Sequence, residues 1–99
     1  MKIIHKKIDE KYLDDLINGY KSFELRRDED NAKVGDILHL YISGKVRAGA
    51  FFQITYILKD YDGLDDGFVI YAVSQIEEKN LANYSKNLWI SASKFKEFS

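Results

Sequence analysis

The spacing of apolar residues restricts the fold more than any other feature of this sequence. Only one segment has the spacing of an amphipathic helix, about 3.6 residues per turn. Its apolar positions are Tyr12, Leu13, Leu16 and Ile17. Asp9 precedes the segment as a helix N-cap, and Gly19 follows it where a residue in the left-handed conformation ends a helix. The pattern predicts one helix between Asp9 and Gly19.

The other apolar runs have the length, the alternation and the β-branched or aromatic content of strands. They cover residues 2–8, 20–27, 37–42, 50–58 and 68–74. No helical pattern separates the later runs, which argues against a parallel α/β sheet, because helices alternate with strands in such sheets. The sequence therefore predicts a mostly β (α+β) domain, a small β-barrel of five or six strands with one early helix.

The length of 99 residues leaves room for one domain with one small functional surface. We assign residues 1–76 to the barrel. Residues 77–99 form a C-terminal extension that we expect to pack on the same domain. Within the extension, residues 88–90 are predicted to add a final strand and residues 94–98 a short C-terminal helix.

The composition excludes several classes of protein. The chain has no cysteine, which rules out disulfides, zinc–thiolate centres, iron–sulfur clusters and cysteine nucleophiles. Its two histidines, His5 and His39, do not have the spacing of a metal motif, and we expect His39 to be a surface or edge residue. We therefore expect no metal and no cofactor. No long apolar run or signal peptide is present, so the expectation is a cytoplasmic protein without membrane association, and a monomer is favoured.

The charge of the chain limits how it could bind nucleic acid. Fifteen Lys and Arg residues oppose sixteen Asp and Glu residues, for a net charge of −1. A chain of this kind lacks the positive field with which proteins follow long phosphate backbones. Any binding of nucleic acid would therefore rest on a few local contacts.

The segment from Gly19 to Arg26 carries three charged side chains, Lys21, Glu24 and Arg26, at the junction of the helix end and the next strand. On that strand Glu24 and Arg26 share one face, about 7 Å apart, while Phe23 and Leu25 lie on the other. Two interpretations are open, a solvated strand face and a functional cleft. Strict alternation would place Lys21 with Phe23, so a bend or bulge after Gly19 is needed to bring Lys21 to Glu24.

The motif Gly19-x-Lys21-x-x-Glu24-x-Arg26, followed by a Val-Gly-Asp turn at residues 34–36, resembles the signature of ASCH domains in the PUA-like superfamily. The order of His5, the motif and the segment GLDDGFVIY at residues 63–71 is also similar to a small phage and bacterial group of that clan with no established function. The resemblance covers about residues 2–75.

The resemblance implies a PUA-like β-barrel with a cleft between barrel and helix. The cleft residues of the family correspond here to Gly19, Lys21, Glu24 and Arg26. Related clefts are thought to hold RNA or a modified nucleobase. The two cations would then bind phosphate or base acceptors, and Glu24 would accept from an amine or a ribose hydroxyl.

Two further side chains are candidates near this cleft. His5 either lines the cleft, because the first strand should neighbour the motif strand, or occupies an exposed strand face. Tyr20 flanks the motif directly and is the aromatic residue best placed to stack on a base. Most other aromatic residues fall within strands, where core packing is the usual role.

Two alternative functions remain. Another branch of ASCH-like domains hydrolyses acylated cytidine with a Lys, a Thr three residues later and a further Glu. This chain keeps Lys21 but has Glu24 at the Thr position, and a neighbouring carboxylate favours the ammonium form over a general base. Lys21 and Glu24 are the catalytic candidates in that case. The other alternative is a protein-interaction module that uses residues 77–99 and exposed strand edges.

Overall fold

The computed structural model describes residues 1–84, and of residues 45–48 it describes only the backbone. Five strands and two short α-helices make up this part of the chain. They are β1 (Ile3–Lys7), α1 (Glu10–Ile17), β2 (Phe23–Arg27), β3 (Ile37–Ile42), β4 (Lys45–Leu58), β5 (Phe68–Ile76) and α2 (Leu81–Tyr84), with a 3₁₀ turn at Glu78–Asn80. The predicted strand at 88–90 and helix at 94–98 lie outside the described residues.

The five strands form one mixed sheet in the order β1-β3-β4-β5-β2. β1 runs parallel to β3, and the other neighbouring strands are antiparallel. The sheet curls into a half-barrel, with β1 and β2 as its two edges. The prediction of a mostly β (α+β) domain is thus confirmed, and the open seam between β1 and β2 is its main departure from a closed barrel.

The inner face of the sheet carries the main hydrophobic core. Helix α1 covers part of this face with Leu13 and Leu16, which are both buried. The strands contribute Ile4, Leu38, Leu40, Phe52, Ile54, Val69, Tyr71 and Val73. Tyr12 and Ile17, predicted to share the buried helix face, are 47% and 44% exposed. They flank the narrow stripe of a two-turn helix, whose contact with the sheet needs only positions i and i+3.

The outer face of β1, β3 and β4 is also covered. A second cluster joins Ile37 and Phe51 to Leu81 of α2, so the segment after β5 folds back over this face. Residues 37–40 are consequently all buried, as in a strand packed on both sides. The expectation that His39 is a surface or edge residue is therefore wrong, because His39 is fully buried and its ring stacks on Phe51 of the neighbouring strand.

Replacement of Leu81 by Ala tests how much the outer cluster stabilises the domain. The Leu81 side chain is fully buried, so its truncation should lower the free energy of unfolding by about 2–4 kcal/mol. Urea denaturation provides the measurement. Val34→Ala is the control, since Val34 is 61% exposed and its truncation should change stability by less than about 0.5 kcal/mol. Equal effects of the two variants would contradict the role assigned to Leu81.

Candidate functional site

The end of α1 places Lys21 ahead of the strand that carries the rest of the motif. Gly19 has a φ of +78°, a conformation that favours glycine, and it turns the chain away from the helix. The N–H groups of Tyr20 and Lys21 then donate to the carbonyl oxygen of Asp15, at 2.9 and 3.1 Å. Lys21 therefore lies in a turn and not in β2, and this turn supplies the bend that strict alternation lacks.

Glu24 is the centre of the site. Its Oε1 accepts a hydrogen bond from Lys21 Nζ at 2.8 Å, and its Oε2 accepts one from Arg26 Nε at 2.6 Å. Glu24 is only 4% exposed, so it does not belong to a solvated face. A carboxylate can be buried in this way because two cations hydrogen-bond to it directly.

The pattern of β2 suggests buried apolar residues and an exposed Glu24, and the structure shows the opposite arrangement. Phe23 and Leu25, the apolar residues of β2, are each 51% exposed on the outer face. Glu24 pairs with the fully buried Tyr71 of β5, so Glu24 and Arg26 lie on the inner side of the half-barrel, while Arg27 is exposed. Of the two interpretations of this strand, the structure excludes the solvated face.

Side chains, and not a backbone ladder, connect the two edges of the sheet across the seam. Arg26 Nη2 donates to the carbonyl oxygen of Lys7 at 2.9 Å, which joins β2 to β1. Further along the seam, Lys6 of β1 forms ion pairs with Glu29 and Asp30, at 2.9 and 2.8 Å. The hydrogen bonds that Lys6 donates to Asp30 and Glu29 raise the pKa of Lys6, and the bond accepted from Lys6 lowers the pKa of Glu29.

A cleft of about 790 Å³ opens at the seam, between helix α1 and the edge strand β2. Its walls include Tyr12 and Asp15 of the helix and residues 23–26 of β2. Lys21 lies between these walls, and Lys7 and Asp9 close the cleft near the end of β1. The three motif side chains that the sequence singles out thus meet at one cavity.

Two aromatic residues of the cleft are not among the sequence-based candidates. Lys21 Nζ lies 5.1 Å from the ring centroid of Tyr12 and 5.4 Å from that of Phe23, within cation–π range. The sequence placed Tyr12 in the helix core and Phe23 on the apolar face of its strand. One indication in the sequence that Tyr12 could line the cleft is its position at the margin of the short apolar stripe of the helix.

Three of the predicted site residues lie outside the cleft lining. Gly19 acts through the turn it forms, and Tyr20 is 84% exposed away from the cleft walls. His5 lies on the outer side of β1, where its Nδ1 is 2.9 Å from His39 Nδ1. His39 in turn stacks on Phe51, with ring centroids 4.6 Å apart.

The structure defines the class of this protein, and comparison with known families then gives its family. The fold and the cleft define a small α+β domain with a curled, mixed sheet and a charged cavity at its open seam. Residues 4–73 match the model of a domain of unknown function, DUF3850, and the chain belongs to this family. No curated protein matches the chain. Among the helices that the structure describes, none has the length and apolar composition needed to cross a bilayer.

The substitution Glu24→Gln tests the central ion cluster. It removes the charge that Lys21 and Arg26 share while keeping the shape of the side chain, and should lower the free energy of unfolding by about 2–3 kcal/mol. Chemical denaturation provides the measurement. Glu29→Gln is the matched control, because Glu29 also pairs with a lysine but is 60% exposed, and little change is expected. Indistinguishable denaturation midpoints for Glu24→Gln and the unmodified protein would disprove this role.

Stability should fall as the pH decreases from 7 to 5, because burial lowers the pKa of His5 below its usual 6.5. Below that pH the unfolded chain binds more protons at His5 than the folded chain, so acid favours unfolding. A series of urea midpoints against pH measures the effect. His5→Gln should have a shallower dependence than the unmodified protein over this interval, and identical slopes would show that His5 is not responsible.

Proposed function

We propose that this protein binds a nucleotide, either free or within a short stretch of RNA, in the seam cleft. The supporting observation is that one buried carboxylate fixes two cations at the cleft wall. Lys21 uses one of its three N–H donors on Glu24, and Arg26 uses two of its five on Glu24 and Lys7. The remaining donors suit the oxygens of a phosphate or the acceptors of a base.

The resemblance to ASCH domains of the PUA-like superfamily supports this proposal. The residues that the resemblance assigns to a cleft are Gly19, Lys21, Glu24 and Arg26. Three of them contribute side chains to one cavity here, and Gly19 forms the turn that places Lys21. The exposed faces of Tyr12 and Phe23 at the same cavity add surfaces on which a base could stack.

The size and charge of the cleft favour a small ligand. A volume of about 790 Å³ is within the range of small-molecule sites and is too small for a duplex. Its lining includes three cations and three carboxylates, which are Lys7, Lys21, Arg26, Asp9, Asp15 and Glu24. A cleft balanced in this way selects by the positions of donors and acceptors, with few phosphate contacts.

The two alternative functions have less support. Lys21 donates to Glu24 at 2.8 Å, an arrangement that uses the amine as a charged donor and does not suit a general base for hydrolysis. The extension begins by packing on the domain, because Leu81 lies against the chain's own sheet. This packing does not favour a protein-interaction role for that residue.

Titration with the four ribonucleoside 5′-monophosphates and with short RNAs tests the proposal. Lys21→Ala and Arg26→Ala should each weaken binding about tenfold or more, because each removes charge-assisted hydrogen bonds. Arg27→Ala is the matched control, since Arg27 lies over the Phe68 ring and is not part of the cleft lining. Calorimetry measures affinity, and thermal unfolding confirms that each variant is folded.

Salt dependence and turnover complete this test. One to three phosphate contacts predict a slope of log affinity against log salt between about −0.7 and −2. Absence of binding, or equal binding by all three variants, would contradict the proposal. Conversion of N4-acetylcytidine to cytidine by the unmodified protein would replace it with the hydrolase alternative.

A further inference from the structure

The cleft runs along the open edge of β2. Residues 23–26 all line it, although neighbouring side chains of a strand point to opposite faces of the sheet. Four consecutive strand residues can border one cavity only where the cavity meets the edge of the strand. The backbone of β2 is therefore part of the cleft wall.

The pairing of β2 with β5 fixes the direction of its backbone groups. The N–H of Val73 donates to the carbonyl oxygen of Ser22 at 3.0 Å, and the N–H of Asp28 donates to that of Gly67 at 2.8 Å. In an antiparallel pair, the residues that exchange hydrogen bonds recur at every second position. The even-numbered residues of β2 therefore direct their N–H and C=O groups to β5.

The odd-numbered residues of β2 direct these groups the other way. Glu24 and Arg26 belong to the hydrogen-bonded pairs with β5, so the N–H and C=O groups of Phe23 and Leu25 point towards the cleft. In an extended chain, both groups of one residue point to the same side. Phe23 and Leu25 thus each present a donor next to an acceptor.

We infer that the backbone edge at Phe23 and Leu25 reads a flat nitrogen heterocycle, of the nucleobase type, by hydrogen bonds to its amide or amidine edge. This inference rests on the proposed function and names the part of the nucleotide that the edge recognises. Such heterocycles carry a donor beside an acceptor and so complement an N–H beside a C=O. Lys21 and Arg26 then remain for the phosphate or the exocyclic acceptors.

The short length of accessible edge favours a single ring system over an added peptide strand. At one end Arg26 crosses the seam to the Lys7 carbonyl, and at the other end the turn carrying Lys21 precedes the strand. The stretch from Phe23 to Leu25 spans about 7 Å, whereas strands in proteins usually measure about 17–20 Å. The ring of Tyr12 borders the same space and offers a stacking surface.

Amide hydrogen exchange, measured residue by residue by NMR, tests this inference on the unmodified chain. Saturation with the ribonucleoside 5′-monophosphate that binds best should slow exchange at Phe23 and Leu25 about tenfold or more. Glu24 and Arg26 serve as internal controls, because their N–H groups already bond to β5. Ribose 5-phosphate, which has the phosphate and sugar but no base, should leave exchange at Phe23 and Leu25 unchanged.

The outcomes separate this inference from the proposed function. Binding of a nucleoside monophosphate without protection of Phe23 and Leu25 overturns the inference alone. Absence of binding by all four monophosphates and by the short RNAs overturns both. Protection of these two amides by an extended hexapeptide, and by none of the monophosphates, also overturns the inference and reassigns the edge to a peptide.

Two variants at one position give a second test. Leu25→Pro removes the N–H that faces the cleft, at an edge position where a ladder bond to β5 is not lost. Leu25→Ala removes most of the side chain and keeps that N–H. Calorimetry should show about tenfold weaker monophosphate binding for Leu25→Pro than for Leu25→Ala. Equal affinities in two folded variants overturn the inference, and the exchange experiment decides it if Leu25→Pro does not fold.

Discussion

Glu24 carries a negative charge into the inner face of an edge strand, where a lone carboxylate would be strongly unfavourable. Lys21 and Arg26 offset that cost by direct hydrogen bonds to its two oxygens. The same contacts hold both cations in place, since each would otherwise be a long and mobile side chain. The position of the cleft, its charge and the link from Arg26 to β1 all depend on this cluster.

The cluster also explains why the seam can remain open. An exposed edge strand normally invites pairing with another chain, and proteins counter this with charged residues directed inward. Here Glu24 and Arg26 on β2 and Lys6 on β1 occupy the gap between the two edges. These side chains connect the edges and leave space between α1 and β2 for a ligand. Stability and the proposed binding site therefore use the same residues.

Local pattern predicted much of the fold and a part of the site. The helix between Asp9 and Gly19 followed from its spacing, because the period of an amphipathic helix reports which side is apolar, and the strand at residues 37–42 followed from a short apolar run between turn residues. The motif placed Lys21, Glu24 and Arg26 near a helix end. Tyr12 was missed because its ring meets Lys21 only after the chain turns at Gly19.

Alternation in the sequence determined that Glu24 and Arg26 share one side of their strand and that Phe23 and Leu25 share the other. It did not determine which side faces inward, because an apolar face normally packs and a charged face normally meets water. Only the tertiary structure decided this, by placing β2 at the edge of the curled sheet with two cations beside Glu24. The burial of His39 was decided in the same way, because β3 lies between β1 and β4 and the His39 ring stacks on Phe51 of β4. In both cases the deciding contact is with a neighbouring strand, Tyr71 of β5 for Glu24 and Phe51 of β4 for His39, and a local pattern does not specify strand pairing.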